Sequence, residues 1–357
     1  MPKSAQFLPG KKALKSDKGV NLNVYQCSGC GLVQLNNKPV FYYREVIRAA
    51  SVSREMENFR MKQFRNFLNQ FSLQNKKVIE IGCGRGEYLC LMKRCGADAY
   101  GLEYSTSSVK YCVKNGLKVS EGFIARGAQK IEDAPFDAFF MLNFLEHLPD
   151  PNSTLKGIWN SLRSNAVGII EVPNFDMILR KKLFSEFTSD HLLYFTKETL
   201  NTILRMNGFD IIDCRVVWHD YIISAVVKKR IKLDISLFYK HQEKIKNQVD
   251  AYISRFKDKK VAIWGAGHQA LALISLVSLA DKIKYVVDSA PFKQGRYTTA
   301  SHLPIVSPEE LIKNPVEAVI VMAASYSDEV ARIIRKKIGK DMNIAIMRDF
   351  GLEILRH

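Results

Sequence analysis

Three glycines and two carboxylates crowd twelve residues of this chain. In "VIEIGCGRGEYL", Glu80, Gly82, Cys83, Gly84 and Gly86 follow an apolar run and precede an amphipathic one, the layout of a strand turning into a helix. Glycines at such a turn let the backbone approach a ligand closely and take up positive φ. Glu103 ends the next apolar run, in "YGLEYS", 21 residues after Gly82 and just before Tyr104. A carboxylate there can accept hydrogen bonds from two vicinal hydroxyls at once. Farther on, "MLNFLEHLPDP" places Asn143, Leu145 and His147 after another apolar run, and "TSDHLLYFTKETL" places Asp190 and His191 together. Neighbouring acidic and imidazole groups suit proton transfer, His191 as base and Asp190 as its orienting partner. His147 is a second imidazole, better read as a hydrogen-bonded residue at a helix entry. "PVFYYREVIRAASVS" adds Tyr42, Tyr43 and Arg44.

The first turn resembles the acidic-x-G-x-G-x-G signature of S-adenosylmethionine binding. That resemblance puts Gly82, Cys83, Gly84 and Gly86 under the methionine part of the cofactor, Glu80 at the loop or the amino group, and Glu103 with Tyr104 at the ribose. It also puts Asn143 and Leu145 near the sulfonium. A second turn, "WGAGHQALAL", reads G-x-G-x-x-A, and Asp288 follows Gly267 by the same 21 residues. On spacing alone it is a dinucleotide site; the other reading is a packing turn in a fold that works without a nucleotide.

The elements that must hold these residues alternate. Strands are expected at "KKVIEIG", "DAYGLE", "LKVSEG", "FDAFFMLN" and "VGIIEVP", with helices between them, so the fold class is α/β with a parallel sheet covered on both faces. "FDIIDCRVVW" and "YIISAVVKK" are separated only by His219 and Asp220, too few residues for a parallel crossover, and should form an antiparallel hairpin. Five alternating units closed by a hairpin are the strand programme of class I methyltransferases. Ahead of this block, Met56, Phe59, Phe64, Phe67, Leu68 and Phe71 recur at helical spacing behind an N-capping Ser53. Behind it, "KVAIW", "IKYVVD", "EAVIVMA" and "NIAIM" make a second Rossmann-like α/β unit. The division expected is a small N-terminal domain over 1–52, a methyltransferase domain over 53–230 and a C-terminal domain over 231–357.

At 357 residues the chain has room for two or three domains, and 47% apolar residues exclude general disorder. The longest apolar run, near 269–280, is broken by Gln269 and Ser275 and is too short to span a bilayer. The amino terminus has no apolar core of the signal-peptide kind, and seven scattered cysteines point to a reducing cytoplasm. Fifty-three basic against 36 acidic residues give a net charge of +17, which suits an anionic partner. The basic residues are not bundled with aromatics, so nucleic acid is the disfavoured one. Nothing in the pattern sets an oligomeric state.

Over nearly its whole length the chain resembles the three-domain nucleotide-sugar C-methyltransferases. "YQCSGCGLVQL", "IGCGRGEYL", "DHLLYF", "WGAGHQA" and "VVDSAPFKQGRYTTASHLPI" carry the resemblance. It implies methyl transfer from S-adenosylmethionine to carbon through an enolate of a keto sugar, in polysaccharide or natural-product synthesis. Within the family the last domain supports the sugar nucleotide rather than NAD, which makes Lys293, Arg296 and His302 candidate phosphate contacts. An acidic-His pair handles protons, here Asp190 and His191, with Tyr42 and Tyr43 in a comparable tyrosine region. The family's zinc domain has two CxxC knuckles; this sequence has only Cys27 and Cys30, so zinc is not carried over and no metal is expected. The alternatives are methylation of a hydroxyl on a sugar or other small molecule, RNA methylation, and a nicotinamide-binding or nucleotide-sensing role for the second turn. Methyl on oxygen, salt-steep RNA affinity, and NAD uptake without S-adenosylmethionine uptake would respectively mark them.

Overall fold

The structure, a computed structural model, describes residues 1–3, 8–45 and 52–356. It divides into two compact units, Met1–Lys232 and Leu233–His357.

In the first unit the strands are β1 (Val24–Gln26), β2 (Val33–Leu35), β3 (Lys77–Ile81), β4 (Asp98–Glu103), β5 (Lys118–Glu121), β6 (Phe136–Leu142), β7 (Leu162–Pro173), β8 (Leu193–Tyr194), β9 (Phe209–Val217) and β10 (Ile222–Lys229). The helices are α1 (Arg54–Gln70), α2 (Glu87–Arg94), α3 (Thr106–Lys114), α4 (Pro151–Asn160), α5 (Phe175–Lys181) and α6 (Lys197–Met206). Seven strands form one sheet in the order β5-β4-β3-β6-β7-β10-β9. The first five run parallel, and β10 is antiparallel to both β7 and β9, as the short His219-Asp220 connection required. This is the class I methyltransferase fold, Rossmann-like with an antiparallel final strand.

Burial explains why the central strands are uninterrupted apolar runs rather than alternating ones. β3 and β6 have helices over both faces, so Val78, Ile79, Ile81, Phe139, Phe140 and Met141 are all sealed. Packing is tight enough to exclude a side chain at Gly168. A Cβ at Gly168 on β7 would lie 2.1 Å from the Phe139 ring.

Helix α1 starts as its sequence demands, with the Ser53 hydroxyl accepting from the Met56 N–H at 3.1 Å. Phe64, Phe67 and Leu68 are buried, but Met56, Phe59 and Phe71 are only half-buried. The residue that completes the buried face is charged: Arg60 is fully sealed and ion-paired with Glu171 of β7 at 2.5 Å. Periodicity of apolar residues could not signal it.

The N-terminal segment is not wholly loop. β1 and β2 form a hairpin around the Cys27–Cys30 turn, and β2 continues antiparallel onto β8. Residues 1–45 therefore fall within the first compact unit, and the division between units comes at Lys232.

The second unit comprises α7 (Ser236–Ile253), β11 (Val261–Trp264), α8 (His268–Leu276), β12 (Val286–Val287), β13 (Arg296–Tyr297), β14 (Pro304–Val306), α9 (Glu310–Lys313), β15 (Ala318–Val321), α10 (Ser327–Lys337), β16 (Asn343–Arg348) and β17 (Gly351–Ile354). Its sheet order is β13-β14-β12-β11-β15-β16-β17, parallel except for the edge strands β13 and β17. Those edges and β14 are two to four residues long, too short to announce themselves by pattern.

Gly168→Ala is expected to lower stability by about 1–3 kcal/mol, because the added methyl must displace Phe139. Equal urea midpoints for the variant and the parent protein would contradict that packing.

Candidate active site

Parallel strands present their carboxyl ends on one edge, and the loops leaving that edge carry the chemistry. β3 delivers the first glycine turn there. Gly82, Gly84 and Gly86 have φ of 71°, 56° and 80°, a left-handed conformation that a side chain would oppose. β4 delivers Glu103, 1% exposed, whose carboxylate accepts from the Gly84 N–H at 2.8 Å and the Ser105 N–H at 2.9 Å. Burial raises the Glu103 carboxyl above its ordinary range, and those backbone donors oppose the rise. A carboxylate has about four lone-pair sites, so the loop-shaping bonds still leave acceptor capacity for a hydroxyl.

Beside the turn, Gly82, Leu102, Tyr104, Phe123, Ile124 and Phe144 line a narrow apolar slot. The Arg44 guanidinium covers it, lying over the rings of Tyr43, Tyr104 and Phe123 at 5.3 to 5.4 Å. The lining of the slot suits a flat heteroaromatic ring, for which the slot, about 10 Å³ as it stands, must open, and the Glu103 carboxylate suits a ribose. The residues present thus suit S-adenosylmethionine. Glu80, also sealed, underlies the turn. Cys83 lies in the same turn with its side chain packed into the core, where a Cβ on Gly101 would meet its Sγ at 2.6 Å. Its contribution to a ligand is limited to its backbone.

Asn143 is exposed just past the end of β6, with φ of 49° and its N–H donated to the Glu171 carbonyl. Leu145 is fully buried next to it. The following residues build a cluster that sequence reading only half assembled. His147 Nδ1 lies 2.8 Å from the Asp190 carbonyl, and its ring meets His191 edge-on at a centroid distance of 4.7 Å. The Asp190 carboxylate accepts from the Tyr42 hydroxyl at 2.8 Å. Asp190 thus positions His147 and Tyr42. Tyr43 lies elsewhere, its hydroxyl accepting from Arg44 Nε at the apolar slot. The two tyrosines, taken together in the sequence, serve different ends of the site.

Burial sets the protonation of this cluster. His191 is held down to about 3, chiefly by desolvation and further by His147, and His147 is lowered by desolvation. Both imidazoles are neutral at physiological pH, and a neutral imidazole can accept a proton. Glu146, 1% exposed, is pushed up to about 8 by burial. Sequence reading missed it, because an acidic residue beside His147 looks like any helix-entry carboxylate until its desolvation is visible. One ligand atom from each of Glu146, His147 and His191 lies within 4.8 Å of the others, a spacing that a cation could bridge. Cys27 and Cys30 join no group of three donors among the described residues, and two thiols do not complete a tetrahedral zinc site.

The second glycine turn is organised differently. Asp288 accepts from the Ala266 N–H at 2.8 Å and the Ala290 N–H at 2.9 Å, and Lys293 Nζ lies 2.9 Å from it. Its carboxylate therefore ties together its own loops. Lys293, a candidate phosphate contact, is engaged in that ion pair, whereas Arg296 and His302 are exposed.

Comparison with known proteins agrees with this geometry. Residues 53–213 match the family described as a methyltransferase domain, and residues 234–345 match the C-methyltransferase C-terminal domain. The C-methyltransferase NovU of Streptomyces niveus is 22% identical over 71% of this chain and 67% of that protein. A ubiquinone biosynthesis O-methyltransferase of Cupriavidus pinatubonensis is 25% identical over 40% of this chain; the match spans 64% of that protein. Among solved structures, the PH0226 protein of Pyrococcus horikoshii superposes with a TM-score of 0.42 at 15% identity, covering 53% of this chain and 98% of that one. The chain is an S-adenosylmethionine-dependent methyltransferase. The pairing of its two matched domains, with the NovU relationship, supports a C-methyltransferase family.

Glu103→Ala should weaken S-adenosylhomocysteine binding about 10- to 100-fold by calorimetry, through lost charged hydrogen bonds and a loosened turn. Asp288→Ala should leave that affinity unchanged; the reverse ranking would reassign the site. Glu146 supplies a pH test. Its folded-state pKa is raised, so its contribution to stability is full below the ordinary carboxylate range and is lost as pH rises through about 8. Glu146→Gln should therefore lose less Tm than the parent between about pH 5 and about pH 8. Parallel profiles would mean that Glu146 ionises like an exposed carboxylate.

Proposed function

We propose that this enzyme methylates a nucleotide-linked keto sugar on carbon, with His191 taking the α-proton. The observation that carries the reading is the Tyr42–Asp190–His147–His191 cluster, its two imidazoles half-buried, immediately beyond the strand end that bears Asn143 and Leu145. When bound, S-adenosylmethionine supplies an electrophilic methyl on sulfonium, and the protein's task is to hold the acceptor in line and move one proton. The His191 imidazole is unprotonated at physiological pH, and an anion developing beside it would raise the proton affinity that desolvation and His147 hold down. The Tyr42 hydroxyl donates its one hydrogen to Asp190 and so fixes that carboxylate within the same cluster.

Room for the acceptor supports the same reading. A cleft of about 760 Å³ reaches from Tyr42 and Ser189 out along the N-terminal segment, with Phe41 on its wall and Lys3, Lys18 and Lys38 around it. An apolar wall with three ammonium groups suits a sugar carrying a pyrophosphate. Within this reading the second unit supports the sugar nucleotide, with Arg296 and His302 as its exposed cationic and imidazole candidates. The compartment expected for such an enzyme is the cytoplasm; no helix among the described residues is long and apolar enough to cross a membrane.

Incubation with methyl-labelled cofactor and a panel of nucleotide sugars, keto forms included, should place label on a carbon adjacent to a ketone, located by NMR. His191→Ala should lower kcat at least about 100-fold with little change in cofactor affinity. Label on oxygen would replace the enolate chemistry with hydroxyl methylation, and label on RNA alone would remove the sugar.

A further inference from the structure

Behind the first glycine turn lies a pair of thiols that methyl transfer does not use. Cys83 stands within the turn and Cys112 near the end of α3, and both are fully buried. They are hydrogen-bond partners of each other. Both sulfurs also face one acceptor: Cys112 Sγ lies 3.5 Å from the Gly84 carbonyl oxygen and Cys83 Sγ 3.9 Å from it. Two glycines leave room for them. A Cβ at Gly101 would stand 2.6 Å from Cys83 Sγ, and a Cβ at Gly86 would stand 3.1 Å from Cys112 Sγ. A buried thiol in apolar surroundings is ordinarily inert; each of these is walled in part by the other.

The Gly84 peptide links the thiols to the cofactor site. Its N–H is held by Glu103 at 2.8 Å, and its carbonyl faces the two sulfurs. A disulfide draws its sulfurs to about 2.05 Å, well inside hydrogen-bond range, and removes both S–H groups. Cys112 sits in the regular turns of α3, whereas Cys83 is flanked by Gly82 and Gly84. Glycine resists a change of backbone least, so the displacement falls on the turn rather than on the helix. Gly84 then leaves Glu103, and that carboxylate loses one of the two N–H groups that aim it.

We infer that Cys83 and Cys112 form a reversible disulfide that switches off cofactor binding, with a peroxide as the oxidant. The Cys112 sulfur attacks one oxygen of hydrogen peroxide, the O–O bond breaks, and Cys112 becomes a sulfenic acid as one water leaves. The Cys83 sulfur then attacks the Cys112 sulfur, forming the S–S bond and releasing the remaining oxygen as a second water. Two thiols are thereby oxidised and one peroxide is reduced. The hydrogen bond from Cys83 lowers the Cys112 thiol toward the reactive thiolate, with burial opposing it. Gly82, the residue before Cys83, walls the slot that must open for the cofactor, and the same opening lets a molecule as small as hydrogen peroxide reach the sulfurs. A reducing compartment keeps such a bond transient. The effect on methyl transfer rests on the turn's holding the cofactor; the bond itself does not.

The intact protein, treated with hydrogen peroxide, alkylated and digested without reduction, should yield a Cys83–Cys112 cross-linked peptide by mass spectrometry. That readout needs no ligand, so its failure is distinct from a failure of the cofactor site. The oxidised protein should bind S-adenosylhomocysteine about 10- to 100-fold more weakly by calorimetry, and dithiothreitol should restore the affinity. By reciprocity, saturating S-adenosylhomocysteine should suppress the cross-link. Cys112→Ser keeps a donor for the Gly84 carbonyl and retains the exposed Cys90 and the half-buried Cys27 and Cys30. It should bind like the reduced parent and lose the peroxide sensitivity; Cys112→Ala repeats the measurement without the hydroxyl. Absence of the cross-link once Cys90 is fully oxidised would overturn the inference. So would a cross-linked protein of undiminished affinity, or a loss of affinity that persists in both variants.

Discussion

Charge withheld from water organises the carboxyl edge of the seven-stranded sheet. Glu80, Glu103, Glu146, Glu171 and Arg60 all lie there at 1% exposure or less. A chain does not bury five ionisable groups within one edge for stability alone, since each ion loses several kcal/mol of hydration. What offsets the cost differs from group to group. Glu103 takes two backbone N–H groups and so shapes the glycine turn; Glu171 takes Arg60; Glu146 retains its proton to higher pH. The site is the sum of these separate solutions. Its helices and loops follow from where each solution places its partner.

The same constraint gives the candidate residues of the site different chemistry. Backbone donors keep Glu103 able to accept, which is what sugar hydroxyls need from it. Desolvation keeps the imidazoles of His147 and His191 neutral, each with an unprotonated ring nitrogen. Neighbouring loops of one sheet edge thus hold an acceptor of hydrogen bonds and an acceptor of protons. The difference arises from how many N–H groups each loop turns inward.

Much of this could be read in the sequence, and the reason is geometric. The Glu80–Gly86 turn, Glu103 and the closing hairpin are encoded by local spacing, and a parallel sheet converts spacing along the chain into position along one edge. The hairpin from Phe209 to Lys229 followed from a connection too short for anything else. What escaped was long-range or depended on burial. Arg60 was hidden among the apolar residues of its helix because its partner stands 111 positions away. Tyr42 and Tyr43 were read as a pair because adjacency in sequence says nothing of divergence in space. That the Cys83 thiol faces the core was likewise not legible in the turn's spacing. The strand pairing of β2 with β8 escaped because three-residue strands carry no period.

That last pairing has a consequence for how the site is specified. Val33 and Gln34 are matched to Tyr194 and Leu193, so the stretch that brings Tyr42 is stitched to the stretch that brings Asp190 and His191. Side chains alternate across a strand, and the seam admits only whole-residue steps. The meeting of hydroxyl and carboxylate is consequently indexed like teeth on a rack: it can be kept or skipped, but not gradually detuned.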